Sequence, residues 1–421
     1  MEISRLERPR ATGAGQTVRE RIAAVLQQIG QRDGALRAFA EVDAEGALRR
    51  AEALDRLPPE ARGPLHGLPV AVKEVIDVAG RLCAWGSRLH VGRRPARDAA
   101  VVQRLLQAGA VVIGITASTE YALAAHAPTV HPLDPERSPG ASSSGSAAAV
   151  GAGLVPVALG TQTIGSIIRP AAYCGVVGFK PTLGRYPLSG VLCLSDRLDA
   201  PGLLADDAAR VAAVDAVLGG PVAGAPSGLC RIAPWFDEPM SDGVQAVLDA
   251  FHARIAGQPL PLRTACVDGD IAADEAEVMD VVLTAELAWR HGAELDAHPE
   301  AVSEKLAEMV RRGREVSEAR RTWAWARQAR IAHRLDAMLR PSEIALVPAT
   351  TGTAPRLEAG TGSRAPQRLW TLAGMPALTL PVGRADGLPV GVQLVARRGE
   401  DGVLLQAARH LEVLARDAAH A

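Results

Sequence analysis

Apolar residues recur at helical spacing through the opening segment, "TVRERIAAVLQQIGQRDGALRAFAEVDAEGALRRAEALDRL", which predicts two helices separated near Arg32 to Gly34. The pattern then changes. In "GLPVAVKEVIDVAG", Leu68, Val70, Val72, Val75 and Ile76 mark a short buried strand between glycines. "DAAVVQRLLQAGAVVIGIT" predicts a helix followed by a strand, and "SSSGSAAAVGAGLVPVALGT" repeats the unit with a serine-rich start and a small-residue helix. Helix and strand alternate, as in an α/β fold around a mostly parallel sheet. From Asp274 to Leu339 the chain is helical, with Gly313 the one strong breaker after Ala301. "IALVPAT", "PALTLPVG" and "LPVGVQLVA" give three more strands, and "DGVLLQAARHLEVLAR" a closing helix. Strand material at both ends predicts that the late strands complete the early sheet.

Composition narrows the function classes. A chain of 421 residues, 48% hydrophobic and 22% charged, has ample material for a large core. With a net charge of −1 and no basic stripe, a nucleic-acid partner is not expected. The amino terminus lacks the apolar core of a secretory signal, and no apolar run has the length of a membrane span. The five cysteines are scattered without CxxC spacing, which predicts no disulfide framework and no zinc site. A cytoplasmic location follows as the expectation.

Candidate chemistry begins at Ser166, in "GTQTIGSIIRPAAYCG". A serine hydroxyl attacks an amide only with a base beside it. The ten histidines, His66, His90, His126, His131 and His291 among them, lie outside any nucleophile-elbow context, and no GxSxG or HExxH pattern occurs. Lys73 is the alternative base. In the apolar run "PVAVKEVIDV", burial would disfavour its charge, and reaching a pKa near 7–8 takes roughly 4 kcal/mol. A strand-end lysine paired with Glu74 or Asp77 is the competing reading. A third segment, "SPGASSSGSAAAVGAG", holds Ser142, Ser143, Ser144 and Ser146. It reads as a turn with capping serines, and it lacks the lysine that a GxxxxGK[ST] phosphate loop requires.

Taken together, "GPLHGLPVAVKEVIDVAG", "RSPGASSSGSAAAVGAGLVPVALGTQTIGSIIRPAAYCGVVGFKPT" and "LWTLAGMPALTLPVG" with "GLPVGVQLVA" resemble the amidase signature family of Ser-cisSer-Lys amidohydrolases. The likeness covers about residues 20–220 and 340–415. The separations, 69 residues from Lys73 to Ser142 and 24 from Ser142 to Ser166, resemble those of malonamidase-like members. The resemblance implies one amidase domain over 1–421: a signature core at 60–210, a variable helical region at 220–340, and strands and a helix at 341–421 completing the sheet. The implied fold is a central twisted, mixed and mostly parallel sheet flanked by helices on both faces. It further implies Ser166 as nucleophile, Lys73 as base and Ser142, after a cis peptide, as the bridging serine. Ser143 would orient Lys73, and backbone N–H groups of Thr163, Ile164, Gly165 and Ser166 would form an oxyanion hole. No cofactor or metal is implied, and homodimers are usual among similar enzymes.

This sequence departs from the family pattern at several points. Ala141 and Ser144 replace glycines, Gln162 stands where many members have aspartate, and Ile164 occupies a position that is often glycine. A β-branched residue resists positive φ, so Ile164 implies either ordinary dihedrals or an altered oxyanion hole. Arg169 lies three residues after Ser166, as in malonamidase-like enzymes, where the arginine holds a substrate carboxylate. A structural ion pair is the alternative. The first reading gives a small acid-bearing amide as substrate, such as a dicarboxylic monoamide or a ureido acid. Tyr121 and the "DAPG" turn at Asp199 to Gly202 are second candidates near the site. Trp289, Trp323, Trp325 and Arg330 are more simply packing or surface residues than pocket walls. The competing functions are an ammonia-supplying member of an amidotransferase complex, resembling the glutamyl-tRNA amidotransferase A subunit, and a non-catalytic scaffold.

Overall fold

The computed structural model describes residues 15–123 and 127–416; His126 lies outside them. Helix α1 (Val18–Leu36) opens with a reciprocal cap between Thr17 and Glu20. It runs straight through the expected break at Arg32 to Gly34 and stops at Arg37, in the left-handed region at φ 56°. Asp33 explains the stop, since its carboxylate accepts the N–H groups of Ala38 (2.8 Å) and Phe39 (3.3 Å). These contacts turn the chain into β1 (Phe39–Val42), which the sequence pattern concealed, before α2 (Ala44–Asp55).

The signature core follows as β2 (Pro69–Lys73), α3 (Ala100–Gln107), β3 (Val111–Thr116), α4 (Ser144–Gly151), β4 (Val157–Gln162) and α5 (Ile168–Cys174). Next come β5 (Val177–Lys180), β6 (Ala200–Ala205) and α6 (Ala208–Leu218), then β7 (Gly228–Ile232), α7 (Asp242–Ile255) and β8 (Leu262–Ala265). The helical stretch contains α8 (Gly269–Ala272), α9 (Glu275–Ala297), α10 (Glu304–Glu315) and α11 (Glu318–Met338). The chain closes with β9 (Glu343–Pro348), α12 (Ala365–Leu372), β10 (Ala377–Ala385), β11 (Leu388–Val395) and α13 (Asp401–Arg416).

The eleven strands among the described residues join one sheet, in the order β1-β3-β2-β4-β6-β5-β10-β11-β9-β7-β8. The late strands do complete the early sheet, through the pairing of β10 with β5. The expectation of a mostly parallel sheet needs correction. Only β2–β3, β2–β4, β7–β8 and β7–β9 are parallel, and the other pairings are antiparallel. The cause is local: β5 and β6 lie side by side in reverse, and β10 and β11 form a hairpin across Asp386 and Gly387.

Side chains alternate between two apolar cores, one on each face. Val70 and Val72 of β2 pack into one, with α6, α7 and the late helices. Ala71 packs into the other, against α1, α2 and α4. The period of two therefore directs Lys73 to the α4 side. Helix α4 can lie deep in that side because its residues are small. A Cβ at Gly145 would stand 2.5 Å from the Ala38 carbonyl and 2.6 Å from the Ala117 nitrogen.

Gly313, read from sequence as a breaker, stays inside α10; the helix ends beyond it and α11 restarts at the Ser317 cap. Its role is close approach, because a Cβ there would lie 2.0 Å from the Thr284 carbonyl on α9. Gly313→Ala gains about 1 kcal/mol of helix propensity but should lose about 1–3 kcal/mol to overpacking. A lower denaturation midpoint is the expected result, and a higher one would mean that α9 and α10 can separate freely.

Candidate active site

The ends of β2 and β4 and the starts of α4 and α5 meet at one place, the crevice beyond the carboxyl ends of parallel strands. Lys73 ends β2 and has no exposed surface. Its Nζ donates to Ser142 Oγ (2.8 Å), Ser143 Oγ (3.1 Å) and Thr161 Oγ1 (2.8 Å). Burial pulls this amine down to about 7, against the opposing pull of the Asp199 and Glu74 carboxylates. Neither Glu74 nor Asp77 forms an ion pair with it: Glu74 accepts the Ser118 N–H (2.5 Å), and Asp77 pairs with Arg93.

Ser143 is fastened to β4, its hydroxyl donating to the Thr161 carbonyl (3.1 Å) and accepting the Thr161 N–H (3.3 Å). The expected cis peptide before Ser142 is absent. No cis bond occurs among the described residues, and Ser142 reaches Lys73 from a trans backbone that follows Gly140, at φ +115°.

Ser166 sits in the turn from β4 to α5. Its Oγ makes no hydrogen bond among the described residues, and it faces a cavity of about 340 Å³ together with Ser142, Thr163, Ile164 and Gly165. The N–H groups of Ile164, Gly165 and Ser166 likewise find no acceptor among the described residues. Ile164 keeps ordinary dihedrals, so glycine is not required there, and its side chain forms part of the wall. Its carbonyl accepts the Thr371 hydroxyl (2.7 Å).

Several expected site residues stand elsewhere. The Gln162 amide oxygen accepts the N–H groups of Ile167 (2.9 Å) and Ile168 (3.1 Å), capping α5. Its nitrogen donates to Thr371 (3.2 Å), so Gln162 orients the Ser166 turn and does not line the cavity. Tyr121 is also outside the cavity lining; its hydroxyl meets His90 (2.8 Å) and Glu294 (3.2 Å), although Thr119, Ala122 and Leu123 beside it do line the wall. Trp289 is exposed, Trp323 and Trp325 stack with arginines, and Arg330 pairs with Asp270. Trp289 instead borders a separate, shallow depression with Trp85 and His291.

Arg169 does line the cavity. It forms no ion pair among the described residues; one terminal nitrogen donates to the carbonyls of Gly362 (2.8 Å) and Ser363 (3.0 Å), and burial lowers the guanidinium to about 10. Three participants carry no signal in the sequence. Thr161 completes the lysine's hydroxyl shell, while Lys305 and Arg364 line the cavity from distant segments. Asp199, a second candidate from its turn alone, is buried near Lys73 and accepts the N–H groups of Leu194 (2.5 Å) and Ser195 (3.1 Å). Burial raises it to about 6, opposed by the Thr163 hydroxyl, these N–H groups and Lys73.

The model of the family described as Amidase matches residues 20–241 and 267–405. The chain belongs to the amidase signature family. Similar members include the A subunit of glutamyl-tRNA(Gln) amidotransferase from Anaeromyxobacter sp. (strain K), 33% identical over 96% of this chain and 95% of that protein. Its counterpart from Chloroflexus aurantiacus is 32% identical over 93% of this chain and 92% of its own length. Among solved structures, an amidase superposes with a TM-score of 0.87 at 30% identity, covering 94% of this chain and 96% of that one. The peptide amidase of Stenotrophomonas maltophilia gives 0.82 at 27%, covering 95% and 94%. This chain is thus an amide-hydrolysing enzyme with the α/β fold of that family. No helix among the described residues is long and apolar enough to cross a membrane.

Proposed function

We propose that this enzyme hydrolyses a small, carboxylate-bearing amide through a serine acyl-enzyme. One observation carries the reading: a fully buried lysine, lowered to about 7, is hydrogen-bonded to a serine at the wall of the cavity that Ser166 faces. Neutral Lys73 accepts the Ser142 proton, and Ser142 takes the proton of Ser166 as Ser166 Oγ attacks the amide carbon. The C–O bond forms and the carbonyl π electrons move to oxygen, where N–H groups over Thr163 to Ser166 stabilise the charge. Collapse breaks the C–N bond, Ser142 protonates the departing nitrogen, and water hydrolyses the ester through the same relay.

The substrate's acid is supported by the Lys73–Ser142–Ser166 spacing, similar to malonamidase-like members, and by the charge of Arg169 beside the nucleophile. A homodimer acting in the cytoplasm fits this reading. The similarity to amidotransferase A subunits favours one alternative, that the chain supplies ammonia within a complex.

Ammonia release by the purified chain separates the two. Malonamate, succinamate and allophanate should be hydrolysed faster than neutral amides of equal size, and Arg169→Ala should lose that preference. No release without a partner protein would favour the amidotransferase role, and a preference for neutral amides would remove the carboxylate from the proposal.

A further inference from the structure

The charge around the cavity is one-sided. Among the described residues its wall carries Arg169, Lys305 and Arg364 and no aspartate or glutamate. None of the three has an ion pair among the described residues. Two arginines elsewhere do find acids: Arg327 of α11 pairs with Asp274, and Arg368 of α12 with Glu275. The whole chain has 46 basic and 47 acidic residues, so acids were not scarce. Unpaired cations gathered in a part-buried cleft repel one another and lose hydration, and a bound anion relieves both costs.

The three cations differ in freedom. Arg169 is 3% exposed and tied at one nitrogen to the carbonyls of Gly362 and Ser363, while its Nε has no partner. Those two carbonyls directly precede Arg364, so Arg169 fixes the segment from which Arg364 projects. Arg364 is half-buried and its side chain makes no hydrogen bond among the described residues. Lys305, near the start of α10, is more exposed, and its ammonium is pushed down by partial burial and by repulsion from Arg364 and Arg169. The guanidinium that is free to fork onto a carboxylate is therefore Arg364, with Lys305 as a point charge beside it.

We propose that Lys305 and Arg364 form the anion clamp of this site and hold the substrate's carboxylate, with Arg169 acting as the residue that positions Arg364. The proposal rests on the carboxylate-bearing amide reading above and assigns the contact to residues outside the signature core. A clamp drawn from α10 and the segment before α12 places selectivity in parts of the chain remote in sequence from Lys73, Ser142 and Ser166.

Malonate is the probe, titrated calorimetrically into Ser166→Ala protein so that turnover plays no part. Malonate should bind, and neutral malonamide should bind at least about tenfold more weakly. In the same background Lys305→Met and Arg364→Met should each weaken malonate about tenfold, and Lys305→Arg should recover most of the loss. Thermal melts of each variant confirm that it folds. Absence of malonate binding, or affinities within about twofold of the parent in both methionine variants, would overturn the clamp. Fluorophosphonate labelling of wild type reports on the serine chemistry separately. No labelling with intact, clamp-dependent malonate binding removes the acyl-enzyme and leaves the clamp; labelling with clamp-independent binding does the reverse.

Discussion

Ser166→Ala is expected to reduce kcat/KM by about 10³-fold or more while leaving thermal stability unchanged. Both effects have one structural origin. The Ser166 hydroxyl has no hydrogen-bond partner among the described residues, so its removal orphans nothing in the folded protein. Ser143→Ala makes the contrast. That hydroxyl is fully buried and bonded to Lys73 and to both backbone groups of Thr161, so its loss should cost about 1–3 kcal/mol of stability. Ser142→Ala should resemble Ser166→Ala in activity, and the double variant should be hardly worse than either, because residues of one relay act as a unit. Steady-state kinetics, fluorophosphonate labelling and melting curves on the four proteins decide the matter. Retained hydrolysis in Ser166→Ala, or a large loss of its stability, would assign the serine a packing role.

What the sequence could and could not reveal follows the range of the interactions involved. Elements specified locally are legible in the sequence: β2 by a continuous apolar run, α4 by its run of small residues, α13 by its apolar stripe. The expected capping by serine does not occur at α4, where the Ser143 hydroxyl bonds Lys73 and Thr161 and no helix N–H. Strand β1 is not legible in the sequence, because only its pairing with β3 and the Asp33 contacts make it extended. Sheet direction is hidden for a similar reason, since an αβ pattern suggests parallel crossovers and does not reveal that β5 and β6 run in reverse. At the site, motif resemblance pointed to Lys73, Ser142, Ser143 and Ser166, and the structure gathers them. Gln162 and Tyr121 lie close by in sequence, yet their side chains are engaged with α5 and with His90 and Glu294. Lys305 and Arg364 had no local signature at all; only the fold brings them to the cavity. Residues gathered in a contiguous motif are readable in one dimension, whereas cavity-lining residues drawn from distant segments are not.

The proton on Lys73 should tie both stability and activity to pH. A buried amine at about 7 in the folded chain, against an ordinary value of 10.5, means that the unfolded chain binds more protons between those limits. Stability therefore rises with pH through this window, as the unfolded chain loses the protonation advantage. The full difference is on the order of 5 kcal/mol, from 1.36 kcal/mol per pKa unit. Lys73→Met removes this dependence, so the stability of wild type relative to the variant should climb by several kcal/mol from pH 7 to pH 10. Titrating groups remote from Lys73 are common to both proteins and cancel, whereas Asp199 and Glu74, which the lysine's charge holds down, titrate higher in the variant. In the kinetics, Lys73→Met should remove hydrolysis, and wild-type kcat/KM should rise with pH through about 7 as the base becomes neutral. Asp199 is the second buried group able to shape that limb, being raised to about 6. Its negative charge holds the lysine's proton on, so Asp199→Asn should move the limb to lower pH. If Asp199 itself were the titrating base, the same change would abolish the limb, and Lys73 would lose its place at the head of the relay.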